Sequence, residues 1–99
     1  MKIAISEQAL KDIENIWLYT LENWSAEQAD RYYNLIFEEI EFICKNFNAG
    51  KSIEYIRKGY RYSKVKSHLI FYKKSNSNEI EIIRVLHQNM DIENHLNDK

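Results

Sequence analysis

The sequence predicts an α+β fold: an N-terminal strand, a helical hairpin packed on a mainly antiparallel sheet, and a short C-terminal helix. Three observations predict it. Between Ser6 and Asn46, apolar residues recur at spacings of three and four, with one break at Asn23-Trp24-Ser25. From Tyr60 to His87, β-branched and aromatic residues fill two apolar runs joined by the polar turn Ser75-Asn76-Ser77-Asn78. A short extended run, Lys2-Ile3-Ala4-Ile5, precedes the helical part, and a short helical pattern ends the chain.

Each element has a local reason. Lys2 to Ile5 reads as a strand, and Ser6 follows as an N-cap whose hydroxyl can accept from an orphan backbone N–H. Ala9, Leu10, Ile13, Ile16, Trp17, Thr20, Leu21 and Trp24 then share one helical face. Ser25-Ala26-Glu27-Gln28 is a capping box that starts a second helix running to about Asn46. Its expected buried stripe is Ala29, Tyr33, Ile36, Phe37, Ile40, Ile43, Cys44 and Phe47. Gly50 is expected to stop it in the left-handed conformation. Ile53 to Ile56 reads as a short extended piece, Gly59 as a turn, and Tyr60 to Val65 as a strand. The run from Ser67 to Tyr72 and the run from Ile80 to His87 form a hairpin. Leu69 and Phe71 point to one face, Ile70 and Tyr72 to the other, so this strand is expected at the centre of the sheet. Gln88 to Leu96 reads as a terminal helix with Met90, Ile92 and Leu96 as its apolar contacts.

Ninety-nine residues fit one domain, 1–99. One cysteine, Cys44, allows no internal disulfide, and no apolar run approaches membrane-spanning length. Met1 to Ile5 is too short for a signal peptide, so a cytoplasmic protein with no membrane partner is expected. The net charge of −1 hides an asymmetry. Residues 1–56 carry five Lys/Arg against ten Asp/Glu, and residues 57–99 carry nine against five. No acidic residue falls between 57 and 74. Two oppositely charged halves suit two different partners.

Two glycines in the whole chain exclude a phosphate loop and a dinucleotide fingerprint. His87, Asp91 and His95 have helical metal-ligand spacing, but His87 reads as part of a strand, and no metal or cofactor is expected. Ser67-His68 with Asp91 lacks a nucleophile-elbow sequence. The strongest chemical constellation is Arg57, Arg61, Arg84, His68 and His87, which could supply a base, an acid and cations to a phosphodiester. Each member also has a structural reading: His68 bonded to a carbonyl, Arg84 in a half-buried ion pair, His87 bonded to Asp91.

The second helix carries one more feature. Leu35 and Phe42 fall about 140° to 160° from the centre of the expected buried stripe. Gln28, Glu39 and Asn46 flank them, and Tyr32 extends the line at its edge. A docking ridge for a partner segment or a second copy is expected there.

Five stretches in order resemble the RelE/ParE toxin superfamily, its ParE branch in particular, from Ile3 to Leu96. They are Ser6-x-x-Ala9-x-x-Asp12-Ile13 with Tyr19-Thr20, then Trp24 with Gln28-Ala29-x-Arg31-Tyr32. Next comes Ile56-Arg57-Lys58-Gly59-Tyr60-Arg61, then His68-Leu69-Ile70-Phe71-Tyr72. The last is Ile82 to His87 followed by Met90-Asp91. Lys58 departs from a usual proline, Tyr62 from a usual basic residue and Asn89 from a usual arginine, which lowers positive charge and leaves the target open.

The resemblance implies the toxin of a type II toxin–antitoxin pair that poisons DNA gyrase, blocks replication and is neutralised by a cognate, ParD-like antitoxin. No catalytic residue and no sequence-specific DNA binding are then expected. The expected contacts to target or antitoxin are Arg57, Arg61, Arg84, His87 and Asp91, with Tyr32, Leu35 and Phe42 on the second helix. The alternatives are a RelE-like ribosome-dependent mRNA endonuclease, whose set would be drawn from Arg61, Arg84, His68 and His87, and an inactive antitoxin-binding relative. A homodimer is left open.

Overall fold

The computed structural model describes residues 2–97; Met1, Asp98 and Lys99, which the sequence reading assigns to the same domain, lie outside the described residues. The elements are β1 (Lys2–Ile5), α1 (Glu7–Asn23), α2 (Ala26–Lys45), a 3-10 turn at Phe47–Ala49, β2 (Lys51–Ser52), β3 (Arg61–Val65), β4 (His68–Asn76), β5 (Glu79–His87) and α3 (Ile92–Asn97). The sheet order is β1-β5-β4-β3-β2. Only β1 runs parallel to its neighbour, β5; the other pairs are antiparallel. β4 is central, as expected from its two apolar faces.

Alternation along β4 and β5 makes two cores. Ile70, Tyr72 and Val85 meet the helical hairpin through Ile13, Ile36 and Ile40. Phe71 and Leu86 face the other way, onto Ile53, Tyr60 and Leu96. α3 and the loop after β2 therefore cover a second face that a hairpin-on-sheet reading leaves bare. Each fully buried Ile, Leu or Phe contributes about 1.5–3 kcal/mol.

The caps explain how the helices are placed. Ser6 Oγ accepts from Ala9 N at 3.0 Å and donates to the Ile83 carbonyl at 2.8 Å. Its backbone N–H donates to the Ile82 carbonyl at 3.0 Å, so one residue starts α1 and fastens it to β5. Ser25 Oγ accepts from Gln28 N at 3.1 Å and starts α2. Trp17 Nε1 donates to Asp30 Oδ1 at 3.0 Å and joins the two helices.

Several expectations are corrected. In α1 only Ala9 and Ile13 are buried, while Leu10 and Trp24 are 50% and 74% exposed. In α2 the buried arc is turned. Tyr33 is exposed, whereas Tyr32 and Leu35 pack against the hairpin-side core. The cause is β3. Tyr32 Oη donates to the Val65 carbonyl at 2.9 Å, and Ser63 Oγ donates to the Glu39 carboxylate. The side of α2 expected to face water faces this strand instead. Counting Phe37 on the far side, α2 touches neighbours over roughly 200°. The Leu35–Phe42 ridge is therefore split: Leu35 is half-buried and Phe42 is 48% exposed.

Gly50 does not stop α2. Asn46 is the C-cap, and Gly50 has φ −73°, an ordinary extended value. It is glycine because a Cβ there would stand 2.0 Å from Tyr72 Oη. Gly59, at φ +82°, does take the left-handed turn. Residues 53–57 are a turn closed by the Ile53 carbonyl, which accepts from Ile56 and Arg57 at 2.9 and 3.0 Å, not an extended piece. α3 starts at Ile92 rather than Gln88, and Met90 is 43% exposed.

Candidate functional site

A cleft of about 840 Å³ opens where the C-terminal half of α1 and the N-terminal half of α2 overhang one end of the sheet. Asp12 and Arg84 set its geometry. Arg84 Nε and one terminal nitrogen donate to the two Asp12 oxygens at 2.8 and 3.0 Å, and the Val85 N–H adds a third bond at 3.0 Å. Both side chains are largely covered, at 17% and 12% exposure. A bidentate pair with a backbone donor fixes α1 against β5 in angle as well as distance.

The floor of the cleft is the β3–β4 turn, the start of β4 and the end of β5. Lys66 and Ser67 form a two-residue turn, and Lys66 adopts φ +55° there. His68 and His87 face each other across β4 and β5, with rings edge to face at 5.2 Å. Tyr32 Oη lies 2.5 Å from His68 Nδ1. The single Tyr32 proton goes to the Val65 carbonyl, so His68 carries its proton on Nδ1 and donates to Tyr32. His87 Nδ1 accepts from Asn89 N–H at 3.1 Å, which puts its proton on Nε2.

Burial pushes the His68 pKa down to about 4, with the neighbouring His87 adding to the effect and Asp12 opposing it. Burial also raises the Tyr32 pKa, against hydrogen bonding from Ser67. Both groups are neutral near pH 7. A base with a pKa about three units below the working pH is a weak proton acceptor, so this dyad suits positioning better than acid–base chemistry.

The walls are apolar and aromatic: Ile16, Tyr19, Trp24, Leu35 and Met90 line the cleft with Val85 and Leu86. Tyr19 and Trp24 are 64% and 74% exposed, which is unusual for rings standing together on a small domain. Arg31 and Lys66 bring positive charge to the rim.

Of the residues singled out from sequence, Tyr32, Leu35, His68 and His87 meet in this cleft. The others do not. Arg84 faces Asp12 beside it. Arg57 donates to the Leu96 carbonyl at 3.3 Å and lies over the Tyr60 ring, on the other face of the sheet. Arg61 donates to the Gly50 carbonyl at 2.6 Å and lies over Phe47. Asp91 accepts from Asn94 at the start of α3 rather than from His87. Phe42 stands outside the cleft on α2. Sequence reasoning missed Tyr19, Arg31, Lys66 and Met90 as one group. The signal was present in part: among the residues that carry the resemblance to ParE toxins, Asp12, Tyr19, Thr20, Trp24, Gln28, Arg31, Tyr32, His68, His87 and Met90 line this cleft, while the stretch from Ile56 to Arg61 lies elsewhere.

Comparison with known proteins agrees. Residues 3–92 match the family model described as the ParE toxin of the type II toxin–antitoxin system, parDE. The chain is similar to Toxin ParE1 of Caulobacter vibrioides (strain ATCC 19089 / CIP 103742 / CB 15), 38% identical over 92 residues, 93% of this chain and 94% of the relative. It is likewise similar to Toxin ParE1 of Mycobacterium tuberculosis (strain ATCC 25618 / H37Rv), at 34% identity over the same shares. Its fold is shared with a solved structure titled "Chromosomal ParDE TA system from P. aeruginosa", at a TM-score of 0.76 and 18% identity, covering 88% of this chain and 95% of that one. With its fold and the residues of its cleft in agreement, the chain belongs to the ParE toxin family of type II toxin–antitoxin systems.

Proposed function

We propose that this ParE-type toxin poisons DNA gyrase and is held inactive by a cognate antitoxin whose apolar segment fills the cleft. The observation that carries the antitoxin assignment is the exposure of Tyr19, Trp24 and Met90 around a cleft lined by the residues that mark the family. Exposed aromatic and methionine side chains around a concave apolar floor are the pattern of a surface that receives a partner's side chains. The Pseudomonas structure's title names a ParDE toxin–antitoxin system, which is the kind of assembly proposed for this chain.

Charge favours the same partner. Arg31 and Lys66 stand at the rim, and an arm with carboxylates beside its apolar anchors would meet them. Association should slow as ionic strength rises.

The gyrase reading is supported by the family resemblance, and the weak acid–base character of the cleft, where burial lowers the His68 pKa to about 4, favours it over a nuclease. The test is a gyrase supercoiling assay with purified toxin run beside an in vitro translation assay. Loss of supercoiling with intact translation is expected. Arrested translation with cleaved mRNA and normal supercoiling would replace gyrase with the ribosome.

A further inference from the structure

The opposite end of the sheet carries a second site. The 3-10 turn, the loop between β2 and β3, and the end of β4 enclose a pocket of about 450 Å³. Two rings organise it. Lys74 Nζ lies 4.9 Å and the Arg61 guanidinium carbon 5.5 Å from the centre of the Phe47 ring. On the other face of the sheet, Lys73 Nζ lies 5.8 Å from the centre of the Tyr60 ring. Lys58 completes the lining from the loop.

Four cations, Lys58, Arg61, Lys73 and Lys74, share this lining with one carboxylate, Glu54. The ion pairs Arg31–Glu27 and Arg84–Asp12 both lie away from this pocket. The one carboxylate in the lining, Glu54, accepts the Gly59 N–H at 3.2 Å. Two like charges over one ring repel each other, and the ring faces and the Arg61–Gly50 bond hold them there. The lining keeps an excess of positive charge that an anionic partner would offset. Tyr55 adds a second feature. It lies on the same loop as Lys58, next in sequence to Glu54 of the lining, and is 84% exposed. An acidic peptide would use the cations and leave that ring idle. A nucleic-acid strand uses both, phosphates on the lysines and a base on the ring.

We propose that this pocket binds the backbone of single-stranded nucleic acid, with Lys58, Lys73 and Lys74 on the phosphates and Tyr55 stacking on an adjacent base. Binding here involves no bond cleavage and reads no sequence. The protein as a whole carries a net charge of −1, so general attraction to polyanions does not produce it.

The experiment is fluorescence anisotropy of toxin alone with labelled oligothymidylate and oligouridylate, titrated from about 25 to about 200 mM salt. Unlabelled polyglutamate of equal charge is the competitor. Both oligonucleotides should bind, the tighter one identifying the natural strand, and affinity should fall as salt rises. Lys73→Gln with Lys74→Gln should weaken binding at least tenfold and flatten the salt dependence by about 0.7 in slope for each phosphate no longer neutralised. Tyr55→Ala should weaken it at least threefold with the slope unchanged. Tyr55 is so exposed that its replacement leaves packing untouched, which keeps the test decisive if the lysine variant folds poorly. The proposal is overturned if neither oligonucleotide binds, if Tyr55→Ala binds like the parent, or if polyglutamate competes as well as an oligonucleotide. No antitoxin or gyrase is present, so the result is independent of the function proposed above.

Discussion

The two ends of the sheet are built from similar residue types and present opposite surfaces. At the cleft end, Arg84 is consumed by Asp12 and His68 is kept neutral, so exposed Tyr19 and Trp24 dominate. At the other end the aromatic rings Phe47 and Tyr60 lie under lysine and arginine, so positive charge dominates. The basic run from 57 to 74 therefore does not act as one surface. Its arginines brace the fold through the Leu96 and Gly50 carbonyls, and Lys58, Lys64, Lys66 and Lys74 are exposed. A charge run shows where cations are, while the backbone acceptors nearby decide which of them remain available.

The largest expected effect breaks the cleft end. Asp12→Ala removes the bidentate carboxylate from a largely covered guanidinium and the acceptor of the Val85 N–H, and should cost about 3–5 kcal/mol in a denaturant melt. Asp12→Leu combined with Arg84→Met should recover most of that loss, because the covered charge is removed together with its carboxylate. At the basic end, Gly50→Ala forces a methyl group into Tyr72 Oη and should cost about 1–3 kcal/mol by the same measurement. Adding Tyr72→Phe should return only part of it, since the ring carbon beneath is also close, at 2.8 Å.

The pH response should separate the ends more finely. His68 has a folded pKa of about 4, below its ordinary value near 6.5, so the unfolded chain binds its proton first. Its contribution is fully present above about pH 6.5 and is lost as pH falls toward 4. Chemical denaturation from pH 7 to 5 should show stability falling more steeply in the parent than in His68→Gln. Equal slopes would rule out a neutral, buried histidine at this position. The smallest effect is in the turn beside it. Lys66 sits at φ +55°, where glycine is relaxed, so Lys66→Gly should raise stability by about 1 kcal/mol in a thermal or denaturant melt.

Much of the fold was legible because local chemistry and burial agree. Ser6 and Ser25 cap the helices they were expected to cap, and the alternation of Leu69, Ile70, Phe71 and Tyr72 between two faces holds. What was not legible depended on long-range contacts. The rotation of α2 comes from Tyr32 and Glu39 bonding to β3, which no spacing within the helix reveals. Gly50 looked like a helix stop, and only Tyr72, far along the chain, shows why a side chain is excluded. The site was half legible. Tyr32, Leu35, His68 and His87 meet in the cleft and Arg84 takes the half-buried ion pair that its position between Ile83 and Val85 suggests, but Trp24, expected on the buried face of α1, is exposed. Helical periodicity places a ring on a face; it does not say whether that face is covered.

The most direct test of the cleft as the proposed antitoxin seat is the affinity for a cognate ParD-like antitoxin, measured by calorimetry against two variants. Tyr19→Ser with Trp24→Ser removes exposed rings that the fold does not need, while Phe42→Ser removes an exposed ring outside the cleft. The double variant should bind at least tenfold more weakly with an unchanged melting temperature, and Phe42→Ser should bind like the parent. Parental affinity in the double variant, or a loss confined to Phe42→Ser, would place the antitoxin somewhere other than the cleft.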